Sequence, residues 1–158
     1  MPATALAANE IARARQKIIV FSGPGSTRLT NEACGPAVVH YAYDTYALSH
    51  GTGAAVLRQG YDTWFFLTAA DYAFGHELER DTREVVTANA GKVLGSARVP
   101  LNTADVSSFL LQARASRAKA IGLANSGAHT INAIKQAVEF GLARGGQKLA
   151  AADLGRLG

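Results

Sequence analysis

The residues able to do chemistry are few and scattered. Cys34 is the single cysteine, so no disulfide can form within the chain. A catalytic thiol needs a base and an orienting group, which no spacing supplies here, and a small packed side chain is the plainer reading. The histidines are His40, His50, His76 and His129. No two stand at metal-ligand spacing on one helix face. In the run from His76-Glu77, the second ligand position of an HExxH zinc motif is taken by Arg80, so no metal is expected. There is no Gly-x-Ser-x-Gly nucleophile elbow. Asp44, Asp62, Asp71 and Asp81 are explained equally well as helix caps, turns and solvated surface. The expectation is a chain without catalytic residues, metal or cofactor.

Two segments are better suited to holding a small molecule than to transforming one. Ser22-Gly23-Pro24-Gly25-Ser26-Thr27 follows an apolar run and could cradle an anion through backbone amides. It matches neither of the glycine fingerprints for nucleotide phosphates, and a plain loop competes with the ligand reading. Asp71-Tyr72-Ala73-Phe74-Gly75 sits between an apolar run and a helical pattern, with two aromatic rings and the Tyr72 hydroxyl. Its competitor is a hydrophobic staple on the helix start.

These segments require strands that end where the loops begin. The pattern predicts helix 4–16, a strand over Lys17 to Ser22, a short strand over Val38 to Tyr41, and a helix from Asp44 to Gln59 stopped by Gly60. A strand over Thr63 to Thr68, a helix from Phe74 to Asn89 closed by Gly91, and a strand over Lys92 to Val99 follow. The next helix carries Val106, Phe109, Leu110 and Ala113 on one face, with Thr103 or Asp105 as cap. Then come a strand over Lys119 to Ala124 and a helix marked by Ile131, Ile134, Val138 and Leu142. The segment from Gln147 is expected to dissolve into AADLGRLG instead of completing a strand. Alternating helices and strands of this kind produce a parallel sheet layered with helices, an α/β fold.

The chain has 158 residues, 48% hydrophobic and 18% charged, enough for a packed core and too apolar for disorder. The formal net charge is +4. The basic residues, among them Arg114, Arg117 and Lys119, are not interleaved with aromatics, so no nucleic-acid partner is expected. No apolar run is long enough to cross a bilayer, and the start lacks the basic and apolar regions of a secretion signal, which implies a cytoplasmic location if expressed as it stands.

Four stretches carry a resemblance: Tyr43 to Leu48, Asp62 to Thr82, Gly91 to Ser116, and Ile121 to Leu142. DYAFG at 71–75, followed by the pattern LNTADVSSFLLQA at 101–113, resembles the type I periplasmic solute-binding proteins of ABC importers, the group around the leucine/isoleucine/valine-binding proteins. The resemblance implies an incomplete fold of that type, with residues 1–43 as the end of a first lobe and the first crossing, and 44–158 as a partial second lobe. It also implies a periplasmic location, an ABC permease of the inner membrane as partner, and an amino acid or small organic or aromatic acid as ligand. Carried over residue by residue, the ligand contacts are Ser22, Gly25, Ser26, Tyr43, Tyr72, Phe74, Asn125 and Ser126. Two departures from the family pattern are the extra alanine in LTAADYAFG and His129, where close relatives often place an acid. An incomplete first lobe also leaves the Lys17–Ser22 strand without neighbours on either edge, so pairing of chains through exposed sheet edges is expected. A Rossmann-like enzyme and a stand-alone ligand-sensing domain are the competing readings. The first is disfavoured by the missing nucleotide fingerprint.

Overall fold

The structure, a computed structural model, describes residues 2–151. Helix α1 (Pro2–Ala14) precedes a two-stranded parallel sheet of β1 (Ile19–Phe21) and β2 (Val38–His40), with Ile19 opposite Val38, Val20 opposite Val39 and Phe21 opposite His40. The β1 strand therefore has a neighbour on one edge, against the expectation that both edges stand open. The loop over 22–37 is long enough for the dozen or so residues that a parallel crossover takes. Phe21, Leu29 and Ala5 form the small core here, with Leu6, Ile19 and Val38 packed against it. Asn9 of α1 is fully buried and donates from Nδ2 to the Ala33 carbonyl at 2.7 Å, which ties the loop to the helix.

The remaining strands form a second, four-stranded parallel sheet in the order β4-β3-β5-β6. They are β3 (Thr63–Ala69), β4 (Lys92–Val99), β5 (Ala120–Ala124) and β6 (Lys148–Ala151). A helical run leads into it from the Asp44 cap, whose Oδ1 accepts the Ala47 amide at 2.9 Å. The run comprises α2 (Thr45–Leu48), a π turn (Ser49–Gly53) and α3 (Ala54–Arg58), and ends at Gly60 with φ +88°. Helices α4 (Ala73–Ala88), α5 (Ser107–Ala115) and α6 (Ala128–Glu139) complete the layers.

The period-2 alternation of β3 feeds both faces of this sheet. Trp64 and Phe66 pack with Val56, Leu78 and Val86 on one side. Phe65 and Leu67 pack with Val106, Leu110, Ala133 and Ala137 on the other. A parallel sheet covered by helices on both faces needs apolar residues at successive positions, and TWFFLT supplies them.

Two local expectations, on α6 and after Gln147, are corrected, and two others are made specific. The α6 face is set by Ala133 and Ala137, with Ile134 beside them, while Val138 is 61% exposed and Ile131 is 37% exposed. Val138 lies about 100° round the helix from Ala137, and the small alanines let α6 approach the sheet closely. The segment after Gln147 does complete a strand: β6 runs to Ala151 and pairs with β5, Ala120 opposite Lys148 through Leu123 opposite Ala151. Without it the backbone groups on that edge of β5 would be unpaired. Residues 152–158 of AADLGRLG lie outside the described residues. After α4 the left-handed position is Ala90 (φ +60°), not Gly91. Gly91 is needed for space, since a Cβ there would stand 2.8 Å from Val86 Cγ1 and 2.9 Å from the Asp62 carbonyl oxygen. Of the two cap candidates before α5, Asp105 takes the role, its Oδ1 accepting the Ser107 amide at 2.8 Å, while Thr103 donates to the Pro100 carbonyl.

Candidate functional site

The segments singled out in the sequence leave the C-terminal ends of three strands: the 22–26 loop follows β1, Ala70 to Tyr72 follows β3, and Asn125 to Gly127 follows β5. In open α/β sheets this is the end at which ligands bind. Gly25 is buried, and its carbonyl accepts the Thr45 amide at 2.9 Å, which fastens the first loop to the start of α2. The Phe74 ring lies against it. A Cβ on Gly25 would stand 2.9 Å from Phe74 Cε2 and 3.4 Å from the Tyr43 carbonyl oxygen. Phe74 is buried, and its ring centroid is 5.8 Å from that of Tyr72, with the planes tilted by 44°.

Tyr72 continues into an open pocket of about 200 Å³, which it lines with Ala69, Leu101, Asn125, Ser126 and His129. Asn125 is buried, and its Oδ1 accepts the Thr130 hydroxyl at 2.7 Å, which leaves the amide NH₂ group as donor. The Asn102 amide donates to His129 Nε2 at 3.2 Å, so in neutral His129 the proton sits on Nδ1. Asn125, Ser126, His129 and the Tyr72 hydroxyl are the groups that can donate hydrogen bonds, and no lining residue is acidic.

The expected contacts thus fall into two groups. The Phe74 ring and the Tyr43 carbonyl both lie against Gly25, and Tyr72, Asn125 and Ser126 share the pocket; the Tyr72–Phe74 ring contact joins the groups. Ser22 is exposed at the end of β1. Ser26 is fully buried: its Oγ accepts the Arg28 amide at 3.3 Å as cap of a 3₁₀ turn (Thr27–Leu29). Ala69 and Leu101 went unnoticed in the sequence, and His129 was noticed only as a departure. An apolar residue directly after Pro100, at a strand end, was the available signal for Leu101.

Two carboxylates on α4 have contrasting environments. Glu77 has a raised pKa because burial disfavours its charge, only partly offset by the Ser26 hydrogen bond, and its Oε2 is buried without a partner. Glu79 is also buried, which alone would raise its pKa. The Thr68 hydroxyl at 2.6 Å and Arg83 Nε at 2.8 Å, together with Arg98, outweigh that and hold it lowered. On the same helix, Asp81 accepts the Thr45 hydroxyl at 2.6 Å and is paired with Arg80. Among the described residues, no helix is long and apolar enough to cross a membrane.

Comparison with known proteins identifies the class. The family model described as periplasmic binding protein matches residues 2–156. The chain belongs to this family. A periplasmic binding protein from Burkholderia mallei is 57% identical, with a TM-score of 0.88 over 95% of this chain and 40% of that one. A branched chain amino acid ABC transporter periplasmic ligand-binding protein from Burkholderia xenovorans is 34% identical, with a TM-score of 0.82 over 94% of this chain and 40% of that one. A solute binding protein from Rhodopseudomonas palustris, solved in complex with 4-hydroxybenzoate, shares the fold at 20% identity, with a TM-score of 0.86 over 96% of this chain and 40% of that one. The chain therefore spans about 40% of the length of these solved structures. No match was found among curated proteins.

Proposed function

We propose that this chain contributes a ligand-binding portion of the solute-binding component of an ABC importer, and that its ligand is an amino acid or a small organic or aromatic acid. The observation that carries the reading is the convergence at one pole of the strands: the Gly25–Phe74 contact, and beside it the pocket of Tyr72, Asn125 and Ser126. An apolar wall with a few convergent donors suits a small carboxylic acid. Under this reading residues 1–43 are the end of a first lobe and the first crossing, and 44–158 part of a second lobe. Capture is followed by lobe closure and hand-over to an inner-membrane permease from the periplasm, without catalysis. The xenovorans relative's designation and the 4-hydroxybenzoate complex support the two ligand classes. Pairing of chains through exposed sheet edges belongs to the same reading.

Calorimetric titration with branched-chain amino acids and with benzoates, on this chain and on a version extended to the length of the mallei relative, tests the proposal. Saturable binding of one class, weakened about tenfold by Asn125→Ala or Tyr72→Ala, is expected for loss of one anchoring contact. Absence of binding by the extended protein, or turnover of any of these compounds, would refute it.

A further inference from the structure

Two helices start at the pocket of Tyr72 and Asn125, and no side chain caps either. Helix α4 begins after Tyr72, and α6 begins after Gly127, the neighbour of the pocket residue Ser126. Neither carries an acid in its first turn. The starts of α2 and α5 differ: Asp44 Oδ1 accepts the Ala47 amide, and Asp105 Oδ1 accepts the Ser107 amide. An uncapped start leaves backbone amides to donate elsewhere, and the helix dipole favours negative charge there.

A buried side chain marks the same spot independently. Asn125 is 3% exposed and lines the pocket, and its Oδ1 is taken by the Thr130 hydroxyl. Its NH₂ group has no partner among the described residues, and a buried donor is costly to leave unpaired. His129 has the same polarity: the Asn102 amide occupies Nε2, and the donor Nδ1–H of the neutral ring remains. Both side chains spend their acceptor within the protein and keep a donor. These bonds join residues of this chain, so they hold whatever further chain surrounds the pocket.

The glycine-rich loop after β1 is the other place suited to an anion, and its groups are already spent. Gly25 lies under the Phe74 ring, and its carbonyl accepts the Thr45 amide. Ser26 is fully buried, with its Oγ accepting the Arg28 amide.

We propose that the carboxylate of the ligand binds between the starts of α4 and α6, against Asn125 Nδ2, the Ser126 hydroxyl and His129 Nδ1, and that the rest of the ligand extends away from β5. This rests on the solute-binding reading above and fixes which end of the ligand this chain reads.

Calorimetry on this chain and on the version extended to the length of the mallei relative tests the proposal. Two ligand pairs are compared, benzoate with benzamide and leucine with leucinamide, because amidation removes the carboxylate charge and nearly keeps the shape. For the pair whose acid binds, amidation should cost about 30-fold or more, as for loss of hydrogen bonds to a charged group. Asn125→Asp keeps the acceptor for Thr130 and puts an anionic oxygen in place of the NH₂ group. It should weaken the acid by about 100-fold and leave the amide nearly unaffected. His129→Ala, at a partly exposed position, should shrink the amidation penalty about tenfold. Ser22→Ala, in the glycine-rich loop, should leave the penalty unchanged.

Equal binding of acid and amide overturns the proposal. So does a penalty that survives Asn125→Asp and His129→Ala, or one that shrinks with Ser22→Ala instead. In those cases the acid still binds, so the solute-binding reading stands. If Asn125→Asp fails to fold, His129→Ala decides: an unchanged penalty overturns the proposal. If the extended protein binds neither acid, the solute-binding reading falls and the carboxylate site with it, so the two failures are told apart.

Discussion

Gly25 and Phe74 interlock: the glycine's missing side chain is the space that the ring occupies, with 2.9 Å between a Cβ built at 25 and Phe74 Cε2. Gly25→Ala should therefore destabilise by about 1–3 kcal/mol, the usual cost of overpacking. In the Phe74→Ala background the same change should cost much less, because the obstructing ring is gone. A urea-unfolding double-mutant cycle measures the coupling, and additive effects would refute the contact.

The start of α4 is pinned from the sheet side. A Cβ at Gly75 would stand 2.6 Å from the Ala124 carbonyl oxygen and 3.2 Å from Ala69 Cβ. The carbonyl is backbone of β5, an inner strand of the four-stranded sheet, and has little room to retreat. Gly75→Ala is expected to cost at least about 2 kcal/mol and to weaken any ligand at Tyr72 and Asn125, as read by denaturation and calorimetry.

Glu77 should be destabilising when ionised. Its folded pKa is raised by burial, so the folded state binds more protons than the unfolded chain between the unfolded and folded pKa values. Stability contributed at this site is present below the unfolded pKa and falls as pH rises through that window. Glu77→Gln is expected to raise the melting temperature at neutral pH and to flatten this part of the stability–pH curve. A lower melting temperature at neutral pH would contradict it.

Glu79 has the opposite sign. Its folded pKa is lowered, so its contribution is present above the unfolded carboxyl pKa and is lost as pH falls through the folded value. Glu79→Gln should cost about 1–3 kcal/mol at neutral pH, because the two arginines lose the negative charge they face and one of the two carboxylate oxygens, which between them accept from Thr68, Arg83 and Arg98, becomes a donating NH₂. The gap to the unsubstituted protein should close in acid, which denaturation at several pH values would show. Arg83 and Arg98 are partly exposed, so water makes up some of their loss.

Much of this architecture was legible in the residues. The consecutive apolar residues from Trp64 to Leu67 require cover on both faces, and Gly60 marks a helix end by its conformation. Other features depend on partners distant in sequence. Val138 and Ile131 looked like core because they repeat with helical period, yet the face that meets the core carries Ala133 and Ala137, with Ile134 beside them. The β6 strand exists because β5 presents an open edge to it, a condition invisible in KLAA itself. At the candidate site the aromatic and Ser-Gly segments stood out by composition. The burial of Ser26, and the way Tyr72, Leu101 and His129 meet around one space, depend on crossovers that no local pattern encodes.

The strand order β4-β3-β5-β6 also has a temporal reading. During synthesis from the N-terminus, β3 emerges before any of its partners, carrying Trp64 and Phe66. It then gains β4 on one edge and β5 on the other, and β6 joins last at the outside. Every pairing is parallel, so each must wait for an intervening helix to be made before its loop can close. Long-range parallel pairing of this kind is slow and leaves intermediates open to aggregation. The strand that carries Trp64, Phe65 and Phe66 is thus the one that spends longest without neighbours, and the nascent protein is most exposed to misassembly between the completion of β3 and the arrival of β5.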